Sequence, residues 1–62
     1  MGHEGWTQRI YEGMAVIYDV DQKTYEVIGW NADASIIRIR PYEPRNANSF
    51  NVPATRLRPA YG

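Results

Sequence analysis

Four short runs of β-branched and aromatic residues follow Gly13, and turn-forming residues close each of them. Met14–Tyr18 gives way to Asp19–Lys23, a polar stretch suited to a hairpin loop. In Thr24–Trp30, the residues Thr24, Tyr25, Val27, Ile28 and Trp30 all favour extended backbone, and Asn31-Ala32-Asp33 supplies the next turn. Ser35–Arg40 alternates most cleanly, with Ile37 and Ile39 on one face and Ile36, Arg38 and Arg40 on the other. Pro41 ends that run because it has no N–H for a ladder, and residues 41–48 form the longest loop. Ser49–Val52 puts Phe50 and Val52 on a common face. Pro53–Arg56 reads as a tight turn or short 3₁₀ piece, after which Leu57 plugs the core and Arg58 leads into Pro59.

The 62 residues hold one domain and no second. There is no cysteine and a single histidine, His3, so neither a disulfide nor a structural zinc supplements the core. Ordering a chain costs about 1.5 kcal/mol per residue. Packing must therefore carry this fold, and self-association into a homo-oligomer would ease its marginal stability. The longest wholly apolar run, Met14–Tyr18, is far too short to span a bilayer. Met1–Trp6 lacks the basic-then-apolar pattern of a signal peptide. The expectation is a soluble cytoplasmic domain with no membrane partner: an arm over residues 1–12 carrying Trp6 and Tyr11, a folded unit over 13–59, and a frayed end over 60–62.

Short strands joined by a hairpin loop, a tight turn, a longer loop and a 3₁₀ turn describe an all-β, five-stranded antiparallel barrel. Over residues 13–59 the chain resembles the SH3-like small barrels, the Tudor and KOW modules among them. The resemblance rests on Gly13-x-x-Val16, Tyr25-x-Val27 and Val52-Pro53-Ala54-x-x-Leu57-Arg58-Pro59. These motifs are generic to the fold and speak for architecture more than function. The Tudor likeness implies a cage for methylated lysine or arginine, to which Tyr18 and Tyr25 would contribute with Trp30 or Phe50 nearby. The same rings equally suit the core of a small barrel. More remotely, Val27-Ile28-Gly29-Trp30 is similar to the second strand of type II dihydrofolate reductases. Their pore-lining Val-Gln-Ile-Tyr motif would fall just before Pro53, where this chain has Ser49-Phe50-Asn51-Val52. The substrate-contacting residues do not carry over.

The remaining chemistry points away from catalysis. Ser35 and Ser49 are the only serines, and the sole histidine lies in the arm, so a nucleophile–base pair is not provided. Asp19 and Asp21 lack the glycine and the distal glutamate of a calcium loop, and Lys23 comes two residues after them. They read as solvated turn residues. The glycines are scattered and form no phosphate loop. No cofactor or metal is expected, and no enzyme activity, with an oligomeric enzyme like the type II dihydrofolate reductases as the remote alternative.

Binding is where the charge pattern matters, because the net charge of zero hides a division. Residues 1–33 carry two basic residues against six acids, a balance of −4, and residues 34–62 carry five arginines against Glu43, a balance of +4. Arg38 and Arg40 point outward from one strand, and Arg56 and Arg58 flank Leu57. With Tyr42 and Arg45 they form an aromatic and arginine surface, to which Trp6 adds a further contact. This pattern admits two readings. As a module for a protein or peptide, the chain uses this mixed surface directly. In the alternative, the five arginines contact the phosphates of single-stranded nucleic acid. Which holds depends on whether folding displays the arginines or pairs them with the acids of neighbouring strands, since an interleaved sheet need not keep the two halves apart.

Overall fold

The computed structural model describes residues 2–43 and 46–61; of residues 2–5 only the backbone is described. Five strands form one sheet: β1 (Ala15–Tyr18), β2 (Lys23–Trp30), β3 (Ile36–Pro41), β4 (Phe50–Pro53) and β5 (Leu57–Pro59). Their order is β4-β3-β2-β1-β5, every neighbour is antiparallel, and the sheet is not closed. A 3₁₀ helix over Ala54–Arg56 precedes β5, and a longer one over Gly2–Arg9 precedes the sheet. The N-terminal segment expected as an arm therefore has regular backbone, and its Trp6 packs half-buried against the core together with Ile10.

Turn chemistry sets the strand boundaries. Between β1 and β2 the loop Asp19–Gln22 closes with the Gln22 N–H donating to the Tyr18 carbonyl at 2.7 Å, and Gln22 takes a left-handed φ of 62°. The Asp21 carboxylate accepts the Lys23 N–H at 3.0 Å, the local side-chain bond for which aspartate is favoured in turns. The β2–β3 turn repeats the device. Asp33 accepts from both the N–H and the hydroxyl of Ser35, at 3.1 and 2.7 Å, and Asn31 Oδ1 accepts the Ile36 N–H at 3.0 Å. Gly13, at φ +91°, enters the sheet by donating its N–H to the Val27 carbonyl at 2.7 Å, a conformation in which a Cβ would be strained. Pro53, at φ −66°, leads into the short 3₁₀ turn.

The core is wholly apolar and comes from every strand: Val16, Tyr25, Val27, Ile37, Ile39, Val52 and Leu57, joined by Ala54. Ile37 and Ile39 are fully buried while Ile36 and Arg38 are exposed, as alternation along β3 requires. Between Val27 and Gly29 the β2–β3 register shifts, so that Val27 faces Ile39 but Gly29 faces Arg38. This bulge puts an extra residue into β2 and re-aims the strand's remaining residues. Among the described residues no helix is long and apolar enough to cross a membrane.

Candidate functional site

Folding interleaves the two charge halves. Glu26 on β2 and Arg40 on β3 are register partners, and the Arg40 guanidinium donates to the Glu26 carboxylate at 3.0 Å. Arg56, at the end of the second 3₁₀ turn, lies 3.5 Å from the Asp19 carboxylate of the first hairpin. That approach stems from the β1–β5 pairing, since the Asp19 N–H also donates to the Arg56 carbonyl at 2.9 Å. Arg58 donates to the Gln22 side-chain carbonyl at 3.4 Å, and Arg38 donates to the Ser49 hydroxyl at 3.0 Å. Two of the arginines thus face carboxylates and two face neutral oxygens. Arg45 lies outside the described residues, as does the side chain of His3.

The positions of these groups separate the sequence-predicted surface into parts. Arg38 and Arg40 share the outer face of β3, whereas Arg56 and Arg58 stand by the first hairpin. Tyr42 comes directly after β3 and is 46% exposed. It lines a groove with Glu26, Arg40 and Glu43. Partial desolvation and the nearby Glu26 charge raise its phenol pKa above the ordinary value. Trp6 is elsewhere: with Asp33, Ser35 and Thr55 it borders a cleft of about 450 Å³ between the N-terminal 3₁₀ helix, the β2–β3 turn and the second 3₁₀ turn.

The aromatic residues divide between core and surface. Tyr18, Tyr25 and Phe50 gather at one end of the sheet, with centroids 5.7–6.0 Å apart and planes tilted by 59–89°. The two contacts that Tyr25 makes are edge-to-face, a favoured packing of rings against one another. Tyr25 belongs to the core, Tyr18 packs against it, and Phe50 is partly exposed. The Tyr25 hydroxyl reaches the surface and donates to the Asp21 carboxylate. That bond, reinforced by burial, pushes the Tyr25 pKa up to about 12 and holds Asp21 below its ordinary value. Trp30 stands apart at the far end of β2, 43% exposed.

Sequence reasoning passed over two features of this surface. Glu26 and Glu43 line the Tyr42 groove, although each reads in sequence as one acid among many. Ile28, Trp30 and Ile36 remain at the surface beside the bulge. Gly29 within a strand-forming run was the available signal, since an isolated strand glycine marks a bulge or a close approach. Among the described residues no three metal-ligating side chains come together. No family model, curated protein or solved structure matches the chain.

Proposed function

We propose that the chain is an SH3-like small barrel acting as a non-catalytic binding module for a protein or peptide, and that the bound segment presents a lysine or arginine. The strand order and the 3₁₀ turn before β5 support the barrel reading. The observation that carries the functional reading is the Tyr42 groove. An exposed aromatic ring shares a groove with two glutamates, while the one arginine lining it is already engaged by Glu26. A cationic side chain on the Tyr42 ring gains a cation–π contact, and Glu43 offsets its charge. The arginine pairing weighs against the nucleic-acid reading. A phosphate-binding face draws its affinity from uncompensated cations, and here Arg40 and Arg56 are compensated by acids from the first half of the chain.

Fluorescence anisotropy with a labelled lysine–glycine repeat peptide and with labelled oligothymidylate tests this at low salt. The peptide is expected to bind saturably, to lose about tenfold in affinity in Tyr42→Ala, and to keep it in Tyr42→Phe. Saturable oligothymidylate binding that weakens in Arg38→Ala and Arg58→Ala would replace this reading with the nucleic-acid one.

A further inference from the structure

The surface end of β2 is built differently from the Tyr42 end. Two grooves run along it, and Ile28, Gly29 and Trp30 line both. These three residues therefore form a ridge between the two grooves. One groove is completed by Tyr11 and Glu12 and the other by Ile36 and Arg38. Backbone pairing fixes which side is which. Gly13 and Met14 bond to Val27 on the β1 side of β2, and Arg38 is the register partner of Gly29 on the β3 side. Tyr11, Trp30 and Ile36 are all exposed, so the apolar ridge is uncovered in the single chain.

The charges at its margins are complementary to each other. Glu12 makes no hydrogen bond or ion pair among the described residues, and Arg38 bonds only to the neutral Ser49 hydroxyl. The strip thus reads acid, apolar ridge, base across β2. A two-fold axis lying along β2 in a face-to-face contact turns that order round. It brings Glu12 of each copy opposite Arg38 of the other and sets the two Ile28–Trp30 ridges against each other at the axis. An isologous contact needs this kind of self-complementary patch. We infer that the Ile28–Trp30 strip is a homodimer interface whose occupant is a second copy of this chain. The inference uses a surface separate from the Tyr42 groove, so either can fail alone.

Sedimentation velocity over a wide concentration range, with the full chain at low and moderate salt, tests it. The expected result is a monomer–dimer equilibrium that shifts to monomer in Trp30→Ser. Each dimer would hold two Glu12–Arg38 contacts. Reversing one residue, Glu12→Arg or Arg38→Glu, turns both into repulsions and should weaken association about tenfold. The doubly reversed variant should regain dimerisation, and Tyr42→Ala should leave it unchanged. All these side chains are exposed, and circular dichroism of each variant checks that it folds; the charge-reversal pair stands if Trp30→Ser does not. A wild-type chain that stays monomeric at the highest concentration would overturn the inference. So would a dimer indifferent to Trp30→Ser, a double reversal that fails to restore it, or growth into open-ended oligomers.

Discussion

Tyr25 shows how one side chain can serve two levels of the structure. Its ring fills the core between Tyr18 and Phe50, and its hydroxyl donates to Asp21 in the first hairpin. Folding therefore favours neutral tyrosine and ionised aspartate, and the signs of the two pH effects are opposite. The Tyr25 pKa rises from 10.0 to about 12, so its contribution is complete below pH 10 and is lost as pH climbs through 12. The Asp21 pKa falls from 3.8, so its contribution is present above that value and is lost as pH drops through the lowered one. Asp33, held down by its bonds from Ser35, adds to the acid side. Urea midpoints should form a plateau between these limits and fall on both sides. Absorbance titration should show Tyr42 late and Tyr25 latest, near 12; the latest step disappears in Tyr25→Phe and moves back toward the ordinary range in Asp21→Asn. A step near 12 surviving Tyr25→Phe would contradict the assignment. Gly13→Ala, in contrast, tests backbone alone. A Cβ there meets no atom within 4 Å, yet φ is +91°, and the expected loss is about 1 kcal/mol by denaturant melt.

The elements divide into those that local chemistry dictates and those that tertiary packing decides. Strands β1 to β4 fall within a residue of the four runs read from β-branched and aromatic clusters, and the 3₁₀ turn comes after Pro53 as its fixed φ predicts. These were legible because alternation and turn residues act over a few neighbours. The N-terminal 3₁₀ helix was not. Eight residues barely nucleate a helix on their own, and the contacts of Trp6 and Ile10 with a distant core are invisible in a short window. The β2 bulge was likewise hidden, since a register shift belongs to a strand pair. The same holds for the arginines. That Glu26 meets Arg40, and Asp19 meets Arg56, is a consequence of pairing β2 with β3 and β1 with β5. Because the Glu26–Arg40 pair is partly exposed, Arg40→Gln should cost only about 0.2–1 kcal/mol in chemical denaturation. A much larger loss would mean that the pair organises the β2–β3 ribbon.

For the whole molecule, the core is small enough that single cavities matter. Ile37, Ile39, Val16 and Val27 are its fully buried side chains. Ile37→Ala is expected to cost about 2–5 kcal/mol, comparable to the entire stability a core of this size supplies. Its amide spectrum at 25 °C should be that of a largely unfolded chain, and retention of the native spectrum would show that another source of stability, such as dimerisation, dominates. The same smallness leaves function to the surface. The net charge of zero, divided in sequence into −4 and +4, is partly recombined on folding, by the cross-strand Glu26–Arg40 pair and the Asp19–Arg56 pair between a loop and the 3₁₀ turn. The two ends of β2 then present different chemistry: a tyrosine groove flanked by glutamates, and a tryptophan ridge flanked by one acid and one base.

Whether that recombination decides the partner is tested most directly by amide-resolved NMR of the labelled chain. It would be titrated in parallel with lysine–glycine repeat peptide and with oligothymidylate at low salt. Saturable shifts centred on Glu26, Arg40, Tyr42 and Glu43 with the peptide, and none with the oligonucleotide, are expected. Saturable oligonucleotide shifts centred on Arg38 and Arg58, fading steeply as salt rises, would contradict the proposal that pairing Arg40 and Arg56 with acids turns the chain away from nucleic acid.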